Sequence, residues 1–297
     1  MWRCLPAPHT CPALSLTPFP PLPPPLSPCS TSPTAIQLPV ARLVQACRLA
    51  SSRVLVMVDG AHAPGMVPGL CVPALGADWY VGNLHKWCFA AKGVALLHAA
   101  DSVRESATQG SIISHFWRRP FAQRFFMQGT LDYSRYLSAP EALGFVQREL
   151  GGWGAMQGYN TALAAAGAAV LAEAWGCGYM LEPQALLRSE GLTTPFLAVV
   201  VTPLHWRQWG QGAGGEGLEG LPEAEALAAL QQDEGLSERI SCAVLAHSSV
   251  QSVFYKWELG GQPRVMCRIA AQVYNTLEDY HRLAAAVLAV HKARAGQ

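Results

Sequence analysis

The sequence predicts an α/β protein, a mostly parallel sheet with helices, followed by a smaller C-terminal α+β domain. Three observations carry that prediction. Arg53-Val-Leu-Val-Met-Val58 is a continuous apolar run closed by Asp59-Gly60, the pattern of a strand buried on both faces of a parallel sheet. Two further short strand candidates, Asp78 to Gly82 and Gly93 to His98, follow with loops or helices between them. Beyond residue 153 the pattern changes to long helices and two alternating segments, Val250 to Leu259 and Arg264 to Tyr274, that read as paired strands.

Taken in order, residues 1–39 form a leader unlike the rest. It holds twelve of the 22 prolines and no acidic residue. Proline removes backbone donors and fixes φ, so this stretch is expected to be disordered or polyproline II. Val40 to Ala50 reads as a short amphipathic helix, with Val40, Leu43, Val44 and Cys47 on one face. An alanine-rich helix is expected from Thr161 to Trp175, closed by Gly176 and Gly178. Phe196 to Thr202 reads as a strand, Gly210 to Gly220 as a flexible loop, and Pro222 to Gln232 as a helix with proline in its first turn. Thr276 to Ala293 closes the chain as a helix, with Thr276 as N-cap and Asp279 three residues on. The expected domains are thus the leader, 40–152 and 153–297.

Composition excludes several classes of function. With 21 basic and 20 acidic side chains and a net charge of +1, there is no electrostatic case for nucleic acid. Charges or prolines break every apolar run before it reaches transmembrane length. The nine cysteines are an odd number with no Cys-x-x-Cys pair, which suits neither a disulfide scaffold nor structural zinc. They read as reduced thiols, mostly core filler, in an intracellular compartment, the cytoplasm first. The acid-free leader leaves a plastid or mitochondrial address open. His62, His85 and His98 make a poor metal set, because no acid–His cluster completes a coordination shell.

Asp59 directly follows a strand, where α/β sheets place their ligands; Asp-Gly is also a common turn pair. Lys86, in Asn83-Leu84-His85-Lys86-Trp87, follows the next strand at the same expected edge. Partial burial among apolar residues would keep its amine nucleophilic, although a lysine can equally snorkel from a loop. An acid and a lysine at successive strand ends match the two demands of pyridoxal 5'-phosphate (PLP), a proton held on the pyridine nitrogen and an amine for the aldehyde.

Val58-Asp59-Gly60-Ala61-His62-Ala63-Pro64-Gly65 and Gly76-Ala77-Asp78-Trp79-Tyr80-Val81-Gly82-Asn83-Leu84-His85-Lys86-Trp87 resemble the class V aminotransferase family of PLP fold type I. The branch they are most similar to comprises the isopenicillin N epimerase-like proteins and the L-cysteine desulfhydrases, and the resemblance covers residues 40–297. It implies a partial fold type I large domain, with Lys86 as the Schiff-base lysine and Asp59 on the pyridinium nitrogen. It places His62 against the cofactor's phenolic oxygen, and Asn83 and His85 near its phosphate. A structural, turn-capping histidine is the other reading of His62.

Gln128-Gly129-Thr130-Leu131-Asp132-Tyr133 resembles the family's Gly-Thr-x-Asp element. The resemblance gives Gly129 and Thr130 to the phosphate of a partner subunit's cofactor and implies a homodimer; alone, the segment reads as an ordinary loop. Arg268-Ile269-Ala270-Ala271-Gln272-Val273-Tyr274-Asn275 resembles the family's carboxylate-gripping strand, with Ala270 where serine is usual. Arg268 would hold the substrate α-carboxylate; the other reading is an arginine in a surface ion pair.

The implied activity is attack on a small amino acid by α-proton abstraction, with cysteine desulfhydrase-type β-elimination or epimerase-like chemistry to follow. A sulfur-accepting desulfurase is disfavoured, since Cys242 and Cys267 lie in or near strand-like segments. Family members carry far more chain before the aspartate strand than the 58 residues here. Truncation at the N-terminus is therefore expected, with an exposed apolar edge at Val54 to Val58. The alternative function is a catalytically inert, truncated relative.

Overall fold

The computed structural model describes residues 29–126, 128–179, 191–212 and 215–295. The described residues divide into two compact units: residues 39–142, and residues 30–38 with the described part of 143–295.

In the first unit, α1 (Val40–Ala50) buries Val40 and Val44 on one face. Its last turn carries Arg48, whose guanidinium donates to the Asp78 carboxylate at 2.7 Å. Asp78 is buried and also accepts from the Val56 amide at 2.6 Å. This pairing ties the helix to the sheet, because a buried carboxylate needs donors on every side that water has left.

Strand β1 (Met57–Asp59) pairs parallel with β2 (Trp79–Asn83), opposing Met57 to Trp79, Val58 to Tyr80 and Asp59 to Val81. The one-turn helix α2 (Leu84–Trp87) follows β2 without a linker, and β3 (Ala95–Ala99) returns antiparallel to β2. The sheet order is β1-β2-β3, so the expected mostly parallel sheet holds one parallel and one antiparallel pairing among the described residues.

The strand expected over Arg53 to Val58 differs from the structure in one respect. Val56 and Val58 are buried, but Leu55 and Met57 are 60% and 55% exposed, so one face of the run is covered rather than both. Strand β1 is also an edge, and no described neighbour pairs with its free side.

In the second unit, α4 (Trp153–Trp175) begins well before the expected Thr161; α3 (Ala139–Glu149) precedes it and straddles the division between units. The sheet is fully antiparallel, with β6 (Gln262–Ala270) between β4 (Leu197–Val201) and β5 (Val253–Leu259). Helix α5 (Glu223–Gln232) starts after Pro222, as its proline signal implies. Helix α6 (Leu236–Ser248) was not foreseen, although its buried Leu236, Ile240 and Val244 stand at i, i+4 and i+8. Helix α7 (Leu277–Ala295) ends the described chain. The Thr276 amide donates to the Asp279 carboxylate at 3.0 Å, the reciprocal half of a capping box.

The core of this unit joins Leu163, Ala168 and Leu171 of α4, Val265, Cys267 and Ile269 of β6, and Leu283 and Val287 of α7. Glycine at 167 lets α4 and α7 approach closely, since a Cβ there would lie 2.7 Å from the Tyr280 ring.

Two further expectations change. Thr31 to Leu38, read as part of a disordered leader, folds as a turn held by backbone hydrogen bonds, among them Thr31 N to Ile36 O at 2.8 Å and Gln37 N to Leu192 O at 2.8 Å. Residues 1–28 of that leader lie outside the described residues. Cys47, Cys71, Cys88, Cys177, Cys242 and Cys267 are free thiols; of these six, Cys88 and Cys267 are buried while Cys71 and Cys242 are exposed, so core filling accounts for a minority. Cys242 also sits on a helix, not on a strand-like segment. No helix of the described residues is long and apolar enough to cross a membrane.

Candidate functional site

The parallel register fixes the geometry of the first unit's strand ends. Asp59 faces Val81 two residues before β2 ends at Asn83, and α2 then presents His85 and Lys86. The acid-bearing and lysine-bearing segments therefore leave the sheet at the same, carboxyl edge. The Gly60 amide extends the ladder by donating to Val81 O at 2.8 Å.

Two glycines make this edge compact. A Cβ at Gly60 would fall 2.3 Å from the Tyr80 hydroxyl oxygen, and one at Gly82 would meet Pro64 at 2.8 Å and Tyr80 at 2.9 Å. Tyr80, fully buried, fills the space both glycines leave and directs its hydroxyl at Gly60 O, 3.3 Å away. Sequence reasoning missed Tyr80; its two-residue spacing from Gly82 on β2 was the available signal.

Asp59 is exposed, and its carboxylate accepts from the Ala61 amide at 3.0 Å, closing an Asx-type turn. His62, at the far side of that turn, is half-buried and sets its ring 6.0 Å from that of Trp87. The contact joins the Asp59 turn to the helix of Lys86. His85 is oriented by Nδ1 against Val94 O at 3.1 Å, and Lys86 is half-buried. Burial pushes the Cys88 thiol up to about 12, so it stays protonated and is no nucleophile. Phe89, directly after, adopts φ 60°, a left-handed backbone that a residue with a bulky side chain rarely takes.

The structure thus brings Asp59, His62, Asn83, His85 and Lys86 to one strand edge. Gly129 and Thr130 are exposed in a second turn of the same unit. The Tyr133 hydroxyl clamps that turn, accepting from Gln128 N and donating to Gly129 O, both at 2.9 Å. Gly129 takes φ 123°, and a Cβ there would meet nothing within 4 Å, so its peptide face is open. The helix after it comes alongside the loop that orients His85, as a Cβ at Gly93 would sit 3.2 Å from Arg135 Nη1.

Arg268 belongs to the second unit, on the central strand β6. Among the described residues it makes no ion pair; its Nη1 donates to the carbonyl and hydroxyl oxygens of Ser32, at 3.1 and 2.5 Å. Among the described residues, no group of three or more His, Cys, Asp or Glu side chains is placed to hold a metal ion.

No family model matches the chain. It is 29% identical over 267 residues to an L-cysteine desulfhydrase of Arabidopsis thaliana, covering 86% of this chain and 52% of that protein. It is 32% identical over 135 residues to an isopenicillin N epimerase of Streptomyces clavuligerus, covering 40% of this chain and 33% of that one. The chain spans about half the length of the first of these relatives. Among solved structures, an alanine–glyoxylate aminotransferase from a Nostoc species superposes with a TM-score of 0.55 at 15% identity, covering 86% of this chain and 58% of that one.

Proposed function

We propose, on the premise that this chain is a relative of the L-cysteine desulfhydrase and isopenicillin N epimerase proteins of the class V aminotransferase-like group, that it is a PLP-dependent enzyme acting on a small amino acid. The observation that carries this reading is the parallel register that ends Asp59 and Lys86 at one sheet edge, with His62 and Trp87 in ring contact between them. That donor set fits the cofactor: a carboxylate for a protonated ring nitrogen, an amine for an aldehyde, and an open glycine backbone for a phosphate. PLP, when bound, supplies an electron sink for a bond broken at the substrate α-carbon.

The chain's own residues do the rest. Asp59, anchored by the Ala61 amide, holds the proton on the ring nitrogen. Lys86 provides the amine and carries the α-proton. His62 offers a donor to the cofactor's phenolic oxygen, and Asn83, His85, Gly129 and Thr130 offer donors to its phosphate. Arg268 grips the α-carboxylate as a planar fork. Residues 40–152 serve as the second half of the cofactor-binding domain, residues 153–297 as the small domain, and the working form is a homodimer.

Among reactions, β-elimination from cysteine comes first, because the chain's longer match is to an L-cysteine desulfhydrase, and epimerisation second. Incubation with PLP and L-cysteine, followed by sulfide detection, tests the first. Deuterium exchange at Cα without sulfide marks the second. Absence of both in the native protein, matched by Lys86→Ala, rejects the enzyme reading. That result would favour an inert relative, a reading supported by the exposure of Asp59, Leu55 and Met57.

A further inference from the structure

Strand β6 alternates cleanly. Val265, Cys267 and Ile269 turn into the helix-packed core, so Arg264, Met266 and Arg268 share the other face. The ladder puts Val199 and Val253 opposite Arg268, and Val201 and Tyr255 opposite Met266. Met266, Val199 and Val201 are buried and Val253 is 45% exposed, so Arg268, itself half-buried, carries its charge beside apolar neighbours near the rim of this face.

A cation there needs acceptors. Two come from Ser32, whose carbonyl and hydroxyl oxygens both engage Nη1. The Nε of Arg268 is buried and has no hydrogen-bond partner among the described residues. Ser32 itself is held in a strap stitched onto the second unit. Ala35 N donates to Thr31 O at 3.1 Å, Thr194 N to Ala35 O at 3.2 Å, and Gln37 Nε2 to Gly191 O at 3.1 Å. The Tyr255 hydroxyl donates to Pro33 O, fixing the residue next to Ser32.

A guanidinium receives a carboxylate side-on through Nε and Nη2, in two parallel bonds. By occupying Nη1 alone, Ser32 blocks rotation of the group without using that edge. The buried Nε is left as a donor whose desolvation is uncompensated until an anion arrives. We propose that Ser32 is a positioning residue that presents the Nε edge of Arg268 to a planar carboxylate. The proposal rests on the reading of Arg268 as the α-carboxylate arginine and extends the substrate site to the strap of residues 31–38.

The test uses the full chain without cofactor and follows the side-chain Nε–H resonance of Arg268 by 15N NMR, assigned by its loss in Arg268→Lys. L-Alanine should shift that resonance, and L-alaninamide, which lacks the carboxylate, should not. In Ser32→Ala the affinity for L-alanine should fall roughly tenfold, the loss expected for one charge-assisted hydrogen bond. Ser32→Thr, which keeps the hydroxyl, should restore it. Equal or tighter binding by Ser32→Ala overturns the positioning role; tighter binding would mean that Ser32 competes with the ligand. If L-alanine leaves the native resonance unmoved, the Arg268 reading fails and this proposal with it. Lys86 and PLP take no part, so failure of the cofactor reading would appear elsewhere.

Discussion

Asp59 stands opposite Val81 in a parallel ladder, two residues before the strand that leads to Lys86 ends. One register therefore sets both the acid and the amine, and anything that shifts it disturbs both together. A slip of one residue would reverse which side chains meet the core, and buried Val58 and Tyr80 oppose that slip.

Gly60 guards the register. In Gly60→Ala the new methyl would fall 2.3 Å from the buried Tyr80 hydroxyl oxygen, so ring or backbone must move. Overpacking of this kind costs about 1–3 kcal/mol, read as a lower urea midpoint. The double variant Gly60→Ala, Tyr80→Leu should recover part of the loss. An unchanged midpoint in the single variant would show that the turn is not packed as described.

Arg48 and Asp78 give a second stability test. Arg48→Met leaves a buried carboxylate with the Val56 amide but without its cation. Because Arg48 is about one-third exposed, the loss should be roughly 1–3 kcal/mol, less than for a fully buried pair. Asp78→Asn combined with Arg48→Met should cost less than the sum of the two single changes, which a double-mutant cycle would measure.

Alkaline pH should weaken both units through their buried thiols. Burial pushes Cys88 and Cys267 from 9.0 up to about 12 in the folded chain. Above pH 9.0 the unfolded thiols lose protons that the folded ones keep, so stability falls as pH rises through that window. Each thiol should contribute about 1.4 kcal/mol per pH unit there. Urea midpoints taken across that window should fall, and Cys88→Ala and Cys267→Ala should flatten the decline. A flat native profile would contradict the burial of these groups.

Much of this was legible in the chain because its signals are local. Asp59, His62 and Lys86 sit in two short segments, each tied to a strand, and the structure sets those segments side by side. The helices of residues 40–50 and 223–232 followed from apolar spacing and from proline before the first turn. What failed depended on neighbours distant in sequence. The burial of Leu55 and Met57 would require a layer over that face, which a run of apolar letters cannot supply. The helix of residues 236–248 did carry an apolar i, i+4, i+8 stripe, but its interspersed serines and charges obscured it. Ser32 meets Arg268 across 236 residues of sequence, and no periodicity encodes such a contact.

Trapping the cofactor shows whether Lys86 and Asp59 hold it. The native protein, Lys86→Ala and Asp59→Asn would each be incubated with PLP, scanned for a visible band, reduced with borohydride and digested. The expected results are a band in the native protein, a phosphopyridoxyl adduct mapped to Lys86, no band or adduct at that position in Lys86→Ala, and weaker retention in Asp59→Asn. A native protein that shows no lysine-dependent band, or an adduct confined to other lysines, would contradict the cofactor role of Lys86.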